Sequence, residues 1–347
     1  MSAATTVRDR PRGAPPRWPL WLGGAILLGL VTIAFLVGQF PVSPAELVKA
    51  AMARLAGQPS HAPSLVETVI FQIRAPRIAA AIVVGAALAA AGAAYQGMFR
   101  NPLVSPDILG VSSGAALGAA LAILFSLGTA AVQGFAFAGG LAAVAIVYAV
   151  ASAVRRHDPI LTLILAGVVI GTLFSALLAL VKYLADPYNQ LPVLTYWLLG
   201  SLAAVAPSEL AAAVPLALAG LVPLVLLRWR MNLLSLPDDE ARALGVNTAA
   251  LRVAVVCAAT VMTAASVAVS GVIGWVGLLV PHAARLLVGP DFARLLPLSM
   301  LIGACYLLAV DTLARTVAAI EVPPGVLTAL IGTPVFLWLL ATTRRGA

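Results

Sequence analysis

The chain has 347 residues, of which 62% are hydrophobic and only 10% charged, with a formal net charge of +8 and a mean hydropathy of +1.04. No soluble core needs that much apolar sequence, and its repeated apolar runs of roughly 17–25 residues match the length of membrane-spanning helices. The runs lack the in/out alternation of a transmembrane barrel, so the expected class is an all-α polytopic membrane protein.

Residues 1–17, with Arg8, Arg10, Arg12 and Arg17, are expected to form a cytoplasmic tail. Trp18–Val37 is about span length and no small-x-small cleavage site follows, so it reads as a retained first helix rather than a signal peptide. Further spans are expected at Arg77–Met98, Ile108–Leu127, Ala131–Val154, Ile160–Leu184, Leu210–Leu227, Leu251–Val269, Val272–Val288, Leu295–Ala314 and Val326–Leu340. Residues 18–347 thus form a single transmembrane domain of ten helices, and an even number puts both termini on one side. Lys49, Arg54, Arg74, Arg77, Lys182 and Arg315 then fall outside, while the other 15 of the 21 basic residues fall inside. That bias makes the termini cytoplasmic. The charge is spread over the loops rather than gathered on one face, which excludes nucleic acid as a partner and leaves attraction to anionic membrane lipid as a secondary effect.

Cys257 and Cys305 both sit in apolar runs, where buried thiols rather than a disulfide are expected. Gly110, Gly114 and Gly118 repeat every four residues, as do Gly167 and Gly171, a spacing that lets helix backbones approach closely in lipid. Pro281 with Gly271, Gly274 and Gly277 predicts a short or broken eighth helix of the kind that borders a cavity in transporters.

The chemistry that is missing is informative. The phosphate-binding loop needs a lysine directly after glycine, but Lys49 and Lys182 both follow valine, so ATP is not bound by that loop. Ion coupling wants an acid deep in a span. All thirteen acids fall in expected loops or near helix ends, and the deepest, Asp311, has Arg315 one turn later as an ion-pair partner. Gly110-Val-Ser112-Ser113-Gly114 matches the Gly-x-Ser-x-Gly nucleophile pattern, although in so Gly/Ser/Ala-rich a chain the two serines are expected to bond to backbone or to a neighbouring helix.

One polar island breaks the apolar sequence. In Leu236 to Asn247, Ser235-x-x-Asp238 resembles a capping box, Pro237 suits a first helical turn, and Asp238, Asp239 and Glu240 favour the positive end of the dipole. Gly245 can close the helix, and Ala241 with Leu244 offers an apolar stripe to a partner. A helix barely two turns long is marginal alone in water, so it docks onto something or lies idle at the interface.

Several ordered motifs carry a resemblance. Arg74-Ala-Pro-Arg77, Gln96-x3-Arg100-Asn-Pro-Leu-x2-Pro106-x2-Leu-Gly-Val-Ser-x-Gly114, Asp239-Glu-Ala-x-x-Leu-Gly245, Gly271-x-Ile-x-x-Val-Gly-Leu-x-x-Pro-His282-x-x-Arg285, Asp311-x3-Arg315 and Glu321-x-Pro-x-Gly-Val326 resemble the iron-chelate and vitamin B12 permease family of type II ABC importers. The resemblance runs from about Arg74 to the C-terminus. It implies a homodimer in a bacterial inner membrane, with a central path bordered by the fifth and tenth spans. It also implies two copies of a cytosolic ABC ATPase that bind ATP and magnesium, this chain being no enzyme and holding no cofactor. The ATPase would seat on Pro237, Asp238, Asp239, Glu240, Ala241, Leu244 and Gly245. A periplasmic binding protein would meet Arg74, Arg77 and Arg315, for which headgroup anchoring and the Asp311 pair are the other readings. Asn101 and Leu103 match one cytoplasmic gate. Ile160 and Leu161 match a second, where an apolar pair closes by dewetting. His282 belongs to a family pattern and is expected to be structural, hydrogen-bonded near a helix end. The aromatics of the outer segment Asp186 to Trp197 are expected to anchor at the interface. The expected cargo is haem or a ferric siderophore, with vitamin B12 as the alternative. An ion-coupled carrier and an intramembrane protease are the readings from other classes.

Overall fold

The computed structural model describes residues 18–56, 64–154 and 159–343. The tail 1–17, Arg155, Arg156, Arg344 and Arg345 lie outside the described residues. Helix α1 (Trp18–Leu36) is followed by two short helices beyond the ten expected spans, α2 (Pro44–Leu55) and α3 (Leu65–Thr68). Each begins with a complete Ser-x-x-Glu capping box, Ser43 with Glu46 and Ser64 with Glu67, which satisfies the first free amides of the helix. From α3 the chain passes through a π-helical turn, Val69–Arg74, into α4 (Ala75–Met98), one helical run of 34 residues.

A 3-10 turn, Pro106–Leu109, leads to α5 (Val111–Leu124), α6 (Thr129–Ala153) and α7 (Pro159–Leu184). The short α8 (Gln190–Leu198) precedes α9 (Pro207–Met231), a 3-10 turn at Asn232–Ser235, and α10 (Asp238–Ala243). Helices α11 (Thr248–Ser270), α12 (Val276–Val288), α13 (Phe292–Ala314) and α14 (Pro324–Thr343) complete the fold, with no strand among the described residues.

A helix occupies each of the ten expected spans, but they are not alike. Seven are long and apolar enough to cross a membrane: α1, the run ending in α4, α6, α7, α9, α11 and α13. Helices α5 and α12, and α14 over Pro324–Leu339, are apolar but shorter. The shortening of α12 has a local cause. Its expected span opens with a non-helical stretch, residues 271–274, and Trp275 at the helix entrance has φ +70. That stretch is wedged against the loop after α8. The backbone amide of Ser201 donates to the Ser270 carbonyl at 2.8 Å, and a Cβ on Gly271 would lie 2.3 Å from the Trp197 carbonyl oxygen. Freed backbone groups at membrane depth are tolerated where other protein packs over them.

Helix α4 is the axis of the fold. Ala89, Ala90, Ala91, Ala93 and Ala94 are fully buried along it, and it packs against α11, α12 and α13. Lipid tails are as apolar as these side chains, so close backbone approach takes over the role that hydrophobic burial plays in water. A Cβ on Gly85 would meet the Gly303 carbonyl oxygen at 2.3 Å, and one on Gly92 would meet that of Gly277 at 1.9 Å. The predicted glycine repeat does the same between α5 and α6, where Gly114 lies against Gly139 and Gly118 against Phe135. Both cysteines are free, as expected, but Cys257 is exposed rather than buried, and the Cys305 thiol faces the Gly23 carbonyl at 3.7 Å. By its 24 residues α4 is roughly 36 Å long, with Arg77 in its first turn and Arg100 just past its other end. Those two arginines anchor the two polar ends described next.

Candidate functional site

At one end lies the polar island. Helix α10 is a single turn and a half, with Asp238, Asp239 and Glu240 in its first turn and Arg242 in its last. The expected cap is corrected: the Ser235 hydroxyl donates back to the Asn232 carbonyl at 2.6 Å, and Pro237 holds the N-cap position without a side-chain bond. Gly245 closes the helix as expected, with φ +82, and its amide donates to the Arg242 carbonyl at 2.9 Å.

What fixes this short helix is Asp238. Its two carboxylate oxygens accept from the Arg252 guanidinium at 2.6 and 2.8 Å, and Oδ1 also accepts from Arg100 at 3.0 Å. The Arg252 hydrogen bonds, and then the charges of Arg252, Arg100 and Arg242, hold the Asp238 carboxyl below its usual value against the opposing effect of desolvation. Arg100 has φ +52, a left-handed conformation uncommon outside glycine, and its Nε donates to the Leu234 carbonyl at 2.8 Å. A bidentate arginine–carboxylate pair gives direction as well as energy, so the island is oriented on α4 and α11 instead of trailing between spans.

The island's surface divides unevenly. Ala241 is fully buried in its own chain, while Leu244 is 61% exposed, so the two do not form one stripe for a partner. Asp239, Glu240 and Leu244 face outward, and Leu244 to Asn247 border a cavity of about 520 Å³ with Arg230 and Leu233.

At the other end of α4 lies a buried charge cluster. Arg77 donates to Asp311 at 2.8 to 3.0 Å and to Glu321 at 2.5 and 3.0 Å, joining α4 to α13 and to the α13–α14 loop. Arg315 lies 3.6 Å from Asp311 and donates to the Ala34 carbonyl at 3.0 Å. Arg74 donates to the carbonyls of Phe35 and Phe40. Arg74, Arg77 and Arg315 are 4, 6 and 8% exposed. The arginines expected to meet a binding protein are therefore not offered at the surface. Their guanidiniums are used within the chain, because a buried charge is tolerated only when paired. The Asp311–Arg315 contact is present, but Arg77 is the closer partner.

The gate candidates divide too. Asn101 caps its own turn, accepting from the Leu103 amide at 2.9 Å, and Leu103 is exposed. Ile160 borders a cavity of about 270 Å³ together with Met98, Phe99 and Arg252, which Asn101, Leu103 and Leu161 do not line. The Ser112 hydroxyl donates to Asp107, so the Gly-x-Ser-x-Gly serine is engaged as a structural donor. His282 is buried against the ring of Phe336, 6.2 Å between centroids, but neither ring nitrogen has a hydrogen-bond partner among the described residues, contrary to the expected bond at a helix end. In the segment Asp186 to Trp197, Asp186 accepts from the amides of Tyr188 and Asn189 at the entrance to α8, and Tyr188 is exposed. Two residues that hold the island, Arg100 and Arg252, escape sequence reasoning, since neither is within ten residues of Asp238 and nothing local pairs them.

The sequence profile of the FecCD transport family matches residues 26–342. The molybdate import system permease protein MolB of Haemophilus influenzae is 40% identical over 334 residues, covering 96% of this chain and 98% of its own. A probable iron chelatin transport system permease protein of Helicobacter pylori is 42% identical, covering 81% and 85%. A solved structure described as an inward-facing conformation of a metal-chelate type ABC transporter aligns with TM-score 0.84 at 39% identity, covering 93% of this chain and 98% of that one.

Proposed function

The chain belongs to the FecCD transport family, and from that premise we propose that it is the membrane subunit of an importer that takes a metal chelate from a periplasmic binding protein. The chain is a transporter permease and not an enzyme; ATP hydrolysis belongs to a separate ATPase subunit. In the proposed assembly two copies of this chain, each crossing a bacterial inner membrane ten times with both termini in the cytoplasm, enclose a path between α7 and α14. The apolar residues Val169 and Leu173 of α7, and Leu330 and Leu337 of α14, are exposed in the single chain and support such a shared lining. One ATPase sits on each island, and Asn101, Leu103, Ile160 and Leu161 close the cytoplasmic end.

The observation that carries this reading is the island itself. A coupling element has to be rigid where it joins the permease and free where it meets the motor. Asp238 supplies the first through Arg100 and Arg252, and the exposed Asp239, Glu240 and Leu244 supply the second. ATP-driven closure of the ATPase pair then favours one packing of the permease over the other. Haem or a ferric siderophore is the proposed cargo. Molybdate is the second reading, favoured by a relative that matches nearly end to end. Uptake into proteoliposomes holding the chain, its ATPase and its binding protein, with haem, ferric siderophore, cobalamin and molybdate in competition, decides among them. Uptake that persists without the ATPase refutes the importer reading altogether.

A further inference from the structure

Between the end of α4, the end of α9 and the α12–α13 loop lies a cavity of about 860 Å³, separate from the island's exposed face. Its charges do not balance. Arg100, on one wall, is used by Asp238 and the Leu234 carbonyl. Asp291, the one carboxylate among the described lining residues, accepts from Asn232 at 2.8 Å and from the Ala293 amide at 3.1 Å, and lies 3.3 Å from Arg294. Arg285 is left over. Its Nε and Nη2 are buried with no hydrogen-bond partner, and no acceptor for it is found among the described residues. Gln96, fully buried on the same wall, donates its amide to the Leu278 carbonyl at 3.0 Å, but its own carbonyl oxygen has no donor.

An unmatched guanidinium and an unmatched acceptor in one cavity call for a ligand that is an anion and also carries a hydroxyl or amine. A guanidinium fork fits a phosphate oxygen pair. The rest of the lining makes the occupant amphiphilic, since Met231, Val288, Phe292 and Leu295 are apolar. Position points the same way. Arg285 is three residues, about 4.5 Å, from the end of α12, and the next two residues on that helix, Leu286 and Leu287, are exposed. In a membrane-embedded chain, that places a free cation at headgroup depth on a helix with an apolar face turned outward.

We propose that this cavity seats the phosphate headgroup of an anionic phospholipid, with Arg285 as its principal ligand and Gln96 accepting from the headgroup's hydroxyl. The lipid neutralises a charge that the chain leaves unmatched, and it sits against Arg100, the residue that anchors the island.

The test is native mass spectrometry of the full chain purified in detergent and titrated with phosphatidylglycerol, phosphatidylcholine or inorganic phosphate. Wild type should retain phosphatidylglycerol in preference to phosphatidylcholine, and Arg285→Gln should weaken that retention by about tenfold or more, the loss of one charge-assisted bidentate contact. Arg285→Lys should recover part of it. Val288→Trp, which keeps every charge and fills the space, should also lower it, so the result does not hang on one variant's folding. Equal retention by wild type and both loss-of-site variants overturns the proposal. Displacement of the lipid by inorganic phosphate at equal concentration makes the site one for a soluble anion, and overturns it as well. A loss of ATPase co-purification in Arg285→Gln with lipid retention unchanged assigns Arg285 to a carboxylate of the ATPase instead.

Discussion

At the scale of single residues, Asp311 is the one buried acid among the described residues. It is fully buried and faces Arg77 and Arg315, so replacing it by alanine leaves two guanidiniums with Glu321 as their remaining carboxylate. Uncompensated buried charge costs about 3–5 kcal/mol, and Asp311→Ala should lower the thermal midpoint of the purified chain accordingly; an unchanged midpoint means the cluster is not structural. Asp238 makes the complementary prediction with pH. Its carboxyl titrates below the ordinary 3.8, so its contribution is present above that value and is lost as pH falls through the lower, folded value. The island's attachment, followed by an amide-exchange or spectroscopic probe on α10, should hold from neutral pH down to about 3.8 and open below it. Release near neutrality contradicts the anchor. The Asp311–Arg315 contact was legible in the sequence because four residues make one helical turn. The Arg77–Asp311 bond was not, because 234 residues separate its partners and no local pattern encodes that distance.

At the scale of elements, glycine placement is what lets α4 occupy the centre. A methyl group at Gly92 has no room against the Gly277 carbonyl, so Gly92→Ala has to push α12 away from α4 and should destabilise the protein by about 1–3 kcal/mol in a melt. The same substitution at Gly134, inside α6 with nothing within 4 Å, should be neutral to stabilising by up to about 1 kcal/mol, and it controls for helix propensity. The long helices were readable from hydropathy alone, since apolar length is a local property. Helices α2 and α3 were not expected, because they are too short to register as spans, although each opens on a Ser-x-x-Glu capping box. The break before α12 was foreshadowed by its glycines, while the residues it packs against, Trp197 and Gly200, belong to a different part of the chain. The island's exposed face gives the sharpest element-level prediction. Leu244→Asp should reduce ATPase co-purification about tenfold, in the range of one interface anchor, while the chain inserts and melts normally. Ala241→Asp is a different experiment, because Ala241 is buried in its own chain and that variant should unseat the island itself.

At the scale of the whole molecule, two polar ends of unlike character are joined by one buried helix. The end with Arg77 is closed, its arginines bonded to carboxylates or carbonyls within the chain; the end with Arg100 is open, one carboxylate held and its neighbours presented. For the first set the family resemblance implied a surface for a binding protein, beside headgroup anchoring and the Asp311 pair; in the single chain these arginines are buried, and the Asp311–Arg315 contact is present. Burial and pairing, which depend on where α13 and the α13–α14 loop lie, are what separate the cases. Helix α4 is also a lever. Its flanks are pinned by backbone contacts at Gly85 and Gly92, which have no slack to absorb bending. Over roughly 36 Å, a tilt of about 5° carries its far end about 3 Å, on the order of a hydrogen bond's length. A tilt of that size would move the Arg77 end far enough to break or remake a bond there, provided that α12 and α13, held to α4 at Gly92 and Gly85, tilt with it as one packed body.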